Sequence, residues 1–331
     1  MPYAVRCSRF TVNRSLSLSL VLLLGFVSCV RPPGDCGPCR DRAAKNQDPN
    51  ATGDPTCCLY GKTRPGVKTR LDGRVAETSG LVFVNGRLWT HNDSDGGNVL
   101  YAVDTTNGKI TQTVVLEGAT NVDWEDLTRS DTHLYVGDVG NNQGGRKNLR
   151  VYRFLLAALQ SSRDTIRVGT ETIAFSYADQ TDFTPREKHN FDCEALVFAG
   201  NQLYLFTKNR GDYRCNFYAL PATPGAHVAR PLGGFDARGL VTGASIHESG
   251  KELVLVGYGR NLNVFLWVLS GYGDNLFLSG NRKRIKLGNA TRLGQMEAVC
   301  QPDAHTWYFS GEKTPLTRAR LYRMDASKWR D

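Results

Sequence analysis

From about Val67 to the end of the chain, apolar residues come in short alternating runs separated by Gly, Asn and Asp. Period-two alternation sends successive side chains to opposite faces of a strand, and the intervening residues suit hairpin turns. Few windows hold a helical period for longer than two turns, and the best of them, Phe154 to Gln160, is short. The pattern predicts an all-β protein.

The runs recur in a fixed order. A first strand appears at Ser79 to Phe83, Glu125 to Leu127, Glu194 to Phe198, Ala244 to Ile246 and Glu297 to Val299. A second follows each, from Leu88-Trp89 to Thr306-Trp307-Tyr308-Phe309, and then a third, from Val99 to Val103 through Arg320 to Met324. A fourth, more variable strand closes four of the units, near Thr113 to Val115, Thr172 to Phe175, Pro231 to Phe235 and Arg284 to Leu287. Unit starts at 79, 125, 194, 244 and 297 lie 46, 69, 50 and 53 residues apart, near or above the period of propeller blades. The expected fold is a β-propeller of five four-stranded blades, or six if the long second interval hides another sheet. The last unit lacks a fourth strand, and Val67 to Leu71 precedes the first without a sheet of its own, so this N-terminal strand is expected to close the ring. A jelly roll or sandwich would explain many short strands, but not this recurrence.

The region before the repeats differs. Arg6, Arg9 and Arg14 precede an apolar run from Leu16 to Val27, long enough for a signal h-region and too short to span a bilayer. Ser28-Cys29 at its end resembles a bacterial lipoprotein processing site, which predicts a signal peptide at 1–28 and lipid on Cys29. The address that follows is the bacterial cell envelope, in the periplasm or at the outer membrane, with unanchored secretion as the alternative. Residues 29–66 are rich in Pro, Gly, Asp, Asn and Arg and read as a tether before a propeller domain at 67–331. Cys36, Cys39, Cys57 and Cys58 interrupt that tether and suit disulfide staples or, less expected outside the cell, a zinc site; the pairing is left open.

Charge changes little in this picture. The formal net charge of +9 is spread along the chain, with no basic stripe interleaved with exposed aromatics, so nucleic acid is a poor partner. A membrane lipid through Cys29 and an extracytoplasmic small molecule, glycan or protein are the partners that fit.

Candidate chemistry lies at the first strands. Residues two apart share a face, giving one layer of Glu77, Asp123, Asp192, Thr242 and Gln295 and another of Ser79, Glu125, Glu194, Ala244 and Glu297. Six carboxylates, Glu77, Asp123, Glu125, Asp192, Glu194 and Glu297, would converge at one mouth, where mutual repulsion calls for a cation or basic neighbours. Calcium suits hard oxygen donors without octahedral demands. Alternatively, the same acids accept backbone N–H bonds from adjacent blades. The loops His91 to Asn98, with Asp93 and Asp95, and Gly137 to Asn142, with Asp138, add oxygen ligands, although Asn, Asp and Gly are also ordinary turn residues. Lys208, Arg210 and Lys313 are candidates to neutralise negative charge, and Trp124 to stack on a ligand. His91 is the only histidine within an acidic recurrent loop; no nucleophile elbow, Walker loop or His-Glu-x-x-His motif is present.

These motifs carry a resemblance. Trp89-Thr90-His91-Asn92-Asp93-Ser94, Asn121-Val122-Asp123-Trp124-Glu125-Asp126 and Tyr135-Val136-Gly137-Asp138-Val139-Gly140-Asn141-Asn142 resemble a group of exported bacterial β-propeller proteins of poorly defined activity, across most of residues 67–326. More distantly, the chain is similar to phytase-like, lactonase-like and NHL-type propellers. The first two of these imply an acidic calcium site. Thr242, Ala244 and Gln295 make this rim less acidic on one side. The leading expectation is a binding or scaffold module. The alternatives are a calcium-dependent hydrolase of a phosphoester, lactone or related ester, with Glu125, Glu194, Glu297 and His91 as catalytic groups, and a carbohydrate-binding module.

Overall fold

The computed structural model describes residues 38–52, 58–94 and 96–330; the predicted leader, Cys29, Cys36, Cys57 and Asp95 lie outside the described residues. Five blades form a ring. Blade 1 is β2 (Thr78–Val84), β3 (Arg87–Asn92), β4 (Val99–Val103) and β5 (Ile110–Glu117). Blade 2 is β6 (Trp124–Arg129), β7 (His133–Asp138), β8 (Leu149–Leu155) and β10 (Glu171–Tyr177). Blade 3 runs from β11 (Cys193–Ala199) through β12 (Gln202–Thr207) and β13 (Cys215–Pro221) to β14 (Gly225–Phe235). Blade 4 comprises β15 (Leu240–Ile246), β16 (Glu252–Tyr258), β17 (Asn263–Ser270) and β18 (Asn281–Asn289). Blade 5 is β19 (Met296–Asp303), β20 (Thr306–Gly311) and β21 (Arg320–Asp325), completed by β1 (Gly66–Arg70).

Local chemistry explains the hairpins. Asn85-Gly86 and Gly200-Asn201 are two-residue turns with positive φ at both positions, a geometry whose twist matches that of paired strands. Between strands, packing decides. The blades are buried on both faces, and five apolar clusters fill the five gaps between neighbours, such as Trp89, Leu100, Trp124 and Tyr152 between blades 1 and 2. The gap between blades 5 and 1 holds the smallest, built on Leu81, Leu88, Ala298, Cys300 and Leu321.

Closure follows the expected route. Strand β1 pairs antiparallel with the last, Val67 opposite Tyr322 and Arg70 opposite Arg320, so the first and last strands of the ring share one sheet. Six blades are ruled out by the contents of the long second interval. It holds a 3-10 turn at Leu156–Gln160, β9 (Thr165–Gly169), β10 and a long connection without strands. Strand β9 returns to blade 1 and pairs parallel with β5, and β14 of blade 3 pairs parallel with β10 of blade 2. Outer edges that would otherwise stand open are thus joined across blades.

The described part of the segment read as a tether is packed, not extended. Cys39 and Cys58 form a disulfide, with Cα atoms 5.1 Å apart. Ala43 and Tyr60 rest on the cluster between blades 4 and 5, and the Tyr60 ring meets Trp329 edge-on at 5.7 Å. Asp41 accepts the Tyr60 hydroxyl at 2.7 Å and pairs with the buried Lys283 ammonium at 3.0 Å. A few anchoring side chains and one cross-link supply what the polar composition lacks.

Candidate metal centre at the acidic mouth

The site is built on a repeated irregularity. In blades 2, 3, 4 and 5 the pairing of the first two strands skips one residue, leaving Glu125, Glu194, Thr242 and Glu297 as the extra residue of a bulge. A bulge releases its residue from the ladder and re-aims the side chain. Three glutamates and one threonine are therefore equivalent, which corrects the layers expected from strict alternation: Thr242, not Ala244, takes the glutamate position in blade 4.

A second ring stands beside the first. The N–H groups of Asp93, Gly140, Lys208 and Glu312 donate to the carbonyls of Glu77, Asp123, Asp192 and Gln295, at 2.7–3.1 Å. The residue that follows the second strand is thus held at the mouth in blades 1, 3 and 5, and the second residue after it in blade 2, so the two rings interleave. Asp93, Asp123 and Glu125 meet there, each offering a carboxylate oxygen within 4.8 Å of the others. Gly140 lies against this trio, since a Cβ on it would fall 2.2 Å from Glu125 Oε1 and 2.5 Å from Asp123 Oδ2.

The electrostatics differ around the ring. Burial pushes the Asp93 and Asp123 carboxyls up to about 6, with repulsion from Glu297 adding to Asp93 and from Asp93 and Asp192 adding to Asp123. Glu125 is raised well above the usual range by burial and by Glu194, Asp93 and Asp123. Blade 3 is compensated instead. Lys208 Nζ donates to Glu194 at 2.8 Å, and Arg210 Nε donates to Asp192 at 2.9 Å. Burial works against the Lys208 ammonium, but Glu194 and Glu297 outweigh it and hold the group charged. Glu297 is 4 % exposed, and neither of its carboxylate oxygens has a hydrogen-bond partner among the described residues. Glu312 is pushed up to about 8 by burial, then by Glu297 and Asp93.

Other acids serve the scaffold. Asp126 is fully buried, and its carboxylate accepts the N–H groups of Leu127 at 2.8 Å, Leu196 at 2.9 Å and Ala244 at 3.1 Å, tying blade 2 to blades 3 and 4. Ser79 donates to the Glu125 carbonyl at 2.6 Å, and Thr242 to that of Met296 at 2.7 Å. Asp138 accepts the Asp123 N–H at 3.1 Å and Arg146 at 2.9 Å, which makes it a support beneath the trio and not a ligand-facing group.

Two expectations fail for one reason. Trp124 is fully buried, with its indole N–H donating to the Thr120 carbonyl at 3.0 Å, so it has no free face for a sugar or other ligand. His91 packs edge-on against that indole at 5.6 Å, and burial lowers its ring to about 4, leaving it neutral below the mouth. Apolar packing between blades 1 and 2 claims both rings. Glu77 and Lys313 are exposed at the mouth, Lys313 tied through its N–H to the Ala76 carbonyl at 2.8 Å. Lys208 and Arg210 are committed to ion pairs with blade 3 acids.

The sequence reading missed Glu312, and it named Asn142 only as the end of the Gly137 to Asn142 loop. Glu312 follows its second strand as Asp93 and Lys208 follow theirs, and that shared position was the available signal. Asn142 donates to Asp123 at 3.1 Å and accepts from Arg210, bridging the acidic and basic sides.

Hard oxygen donors at this separation fit a calcium-like cation held by Asp93, Asp123 and Glu125.

No protein-family model and no curated protein matches the sequence. Among solved structures, the chain is similar to one in a mitotic checkpoint complex, at 15% identity over 74% of this chain and 60% of that one, with a TM-score of 0.34. It is also similar to an exo-β-1,3-galactanase from Phanerochaete chrysosporium, at 11% identity over 80% of this chain and 64% of that one, with a TM-score of 0.46. The match thus spans less than two thirds of either solved chain. Likeness at these TM-scores carries no argument about what the chain does, and no family match supports the resemblance to exported bacterial propellers.

Proposed function

We propose that the protein is an extracytoplasmic binding propeller, lipid-anchored through Cys29, that holds a calcium ion at Asp93, Asp123 and Glu125 and engages its ligand through that ion. The observation that carries this reading is the convergence of three carboxylates within 4.8 Å, on bulges and loops of adjacent blades. Buried carboxylates with raised pKa values are costly to leave ionised and uncompensated, and a cation removes that cost. The ion pairs of Lys208 and Arg210 are with the blade 3 acids. Calorimetric titration of calcium into chelator-treated protein is expected to give saturable binding that Asp123→Asn abolishes. Absence of binding in the wild type sinks the reading. Mass measurement of the mature N-terminus tests the anchor, and an unmodified Cys29 overturns it.

A hydrolytic role is favoured by one further feature. Glu312, whose carboxyl is pushed up to about 8 in the cation-free ring by burial, Glu297 and Asp93, is the group at the mouth placed to act as a general acid. The cation would polarise a phosphoryl or carbonyl oxygen, water would attack that centre and give its proton to Glu297, and Glu312 would protonate the oxygen whose bond breaks. A phosphoester and lactone screen with and without calcium tests it: turnover that needs calcium and is lost in Glu312→Gln supports hydrolysis, and no turnover leaves binding alone.

A further inference from the structure

The net charge of +9, read from the sequence as spread along the chain, is gathered in one place. Residues 38–70 hold seven Lys or Arg against three Asp, whereas residues 71–331 hold thirty against twenty-eight Asp or Glu. The excess lies on the disulfide-linked collar before β1 and on β1 itself, and the blades at large are close to neutral.

Contacts bring these cations together on the outer wall of blades 4 and 5. Arg40 and Arg42 flank Asp41, which is held by Lys283 of β18 at 3.0 Å. The Lys45 N–H donates to the Leu59 carbonyl at 2.7 Å, and the Thr63 N–H to that of Lys286 at 2.9 Å, which leaves Lys62 and Arg64 on either side of an anchored residue. Lys328 lies over the Trp329 ring that Tyr60 meets edge-on. These six flanking cations are exposed, and none has an ion pair among the described residues. The neighbouring acids are occupied: Asp41 by Lys283 and the Tyr60 hydroxyl, Asp48 by the Asn50 N–H at 2.9 Å and Asp325 by the Ser327 N–H at 2.9 Å. Leu59, 53 % exposed, stands on the same surface.

The collar meets the blades at the end away from the acidic mouth. Lys283 is near the start of β18 and Trp329 lies beyond the end of β21, whereas the mouth end of β21 is Arg320, opposite Gly311 and next to Glu312. Acids at one end and unpaired cations toward the other orient the molecule in an external field, so an anionic surface attracts the collar and repels the mouth.

We propose that the collar docks on an anionic lipid surface, with headgroups pairing to its cations and Leu59 reaching between them, so that the acidic mouth points away from the membrane. The choice of a membrane rests on the lipid-anchor reading: Cys29 stands nine residues before Pro38, a reach of at most about 30 Å, so lipid there would hold the collar near the headgroups. A basic patch beside a lipid chain is a second attachment, worth roughly fivefold in affinity per cation at low salt.

Full-length protein carrying Cys29→Ser, on which no lipid can form, is mixed with vesicles in chelator, so that calcium cannot bridge the mouth to headgroups. Cosedimentation is expected with phosphatidylcholine vesicles containing about one-third phosphatidylglycerol, not with phosphatidylcholine alone, and should be lost at about 0.5 M salt. Arg40→Gln, Arg42→Gln and Lys45→Gln together should weaken binding about hundredfold. Asp123→Asn should bind vesicles as its Cys29→Ser parent does, and a change there overturns the orientation. Equal binding to both kinds of vesicle, unchanged binding in the triple variant, or tighter binding to a DNA duplex than to anionic vesicles overturns the docking; the last result would make nucleic acid the partner. The vesicle comparison needs no collar variant and decides the matter even if the triple variant fails to fold. Anchor and docking fail separately: an unmodified Cys29 in the mature protein removes the tether and leaves the vesicle result standing, and loss of lipid selectivity leaves the anchor and calcium binding untouched.

Discussion

Glu125 and Asp126 are neighbours in the chain, both buried to within 4 % of full enclosure, and they belong to different regions of the molecule. Glu125 sits on the bulge and joins the acidic mouth, where its surroundings are other carboxylates. Asp126, one residue on, is back in the ladder and faces the axis, where three N–H groups converge on it. Burial raises both carboxyls, but only Asp126 has backbone hydrogen bonds that oppose the rise. A buried acid is therefore not in itself a binding group. What surrounds it decides whether it ties the scaffold together or awaits a ligand.

The contrast breaks most directly at Asp126. Asp126→Ala leaves three backbone donors from three blades without an acceptor and is expected to cost about 3–5 kcal/mol in urea unfolding. A loss under 1 kcal/mol would mean that the axis is not held by this carboxylate.

Next in size is the pH response of the mouth. A carboxyl that titrates higher in the folded than in the unfolded state gives its full stabilisation below the unfolded pKa and loses it as pH climbs through the folded one. For Asp123, raised from 3.8 to about 6, the loss is about 3 kcal/mol. Cation-free protein is expected to melt lower at pH 8 than at pH 5, and calcium should restore the difference at pH 8. Glu125→Gln should flatten this profile and weaken calcium by at least about tenfold; a profile unchanged in Glu125→Gln would detach that residue from the cluster.

Gly140→Ala separates geometry from charge. A methyl 2.2 Å from Glu125 Oε1 must displace the carboxylates, so calcium affinity should drop while the fold loses about 1–3 kcal/mol. Unaltered affinity would place the cation elsewhere. Smallest of all, Lys313→Ala on the exposed rim should change stability by no more than about 0.5 kcal/mol and leave calcium binding intact.

The repeated strands were readable because each blade needs the same alternation to bury two faces. Closure by the N-terminal strand was readable because one unit was a strand short. Alternation failed at the bulges, where one extra residue shifts the register, so the sequence reading put Thr242 in the wrong layer. Trp124 and His91 misled because their place in an acidic motif says nothing of the interblade gap that buries them. Strand β9 escaped notice because a parallel partner far along the chain leaves no turn to mark it.

The sequence alone determined an all-β chain of five repeating units, a closing strand and the presence of acids at the unit starts. These are local properties, set by side-chain period, turn residues and count. Only the tertiary structure decided which acids meet. Asp93, Asp123 and Glu125 come together from a loop and a strand start on adjacent blades, Asp192 and Glu194 are matched by Arg210 and Lys208, and Asp126 turns to the axis. The reason is physical: a carboxylate's role depends on the groups within a few ångströms of it, and in a ring of blades most of those are distant in sequence.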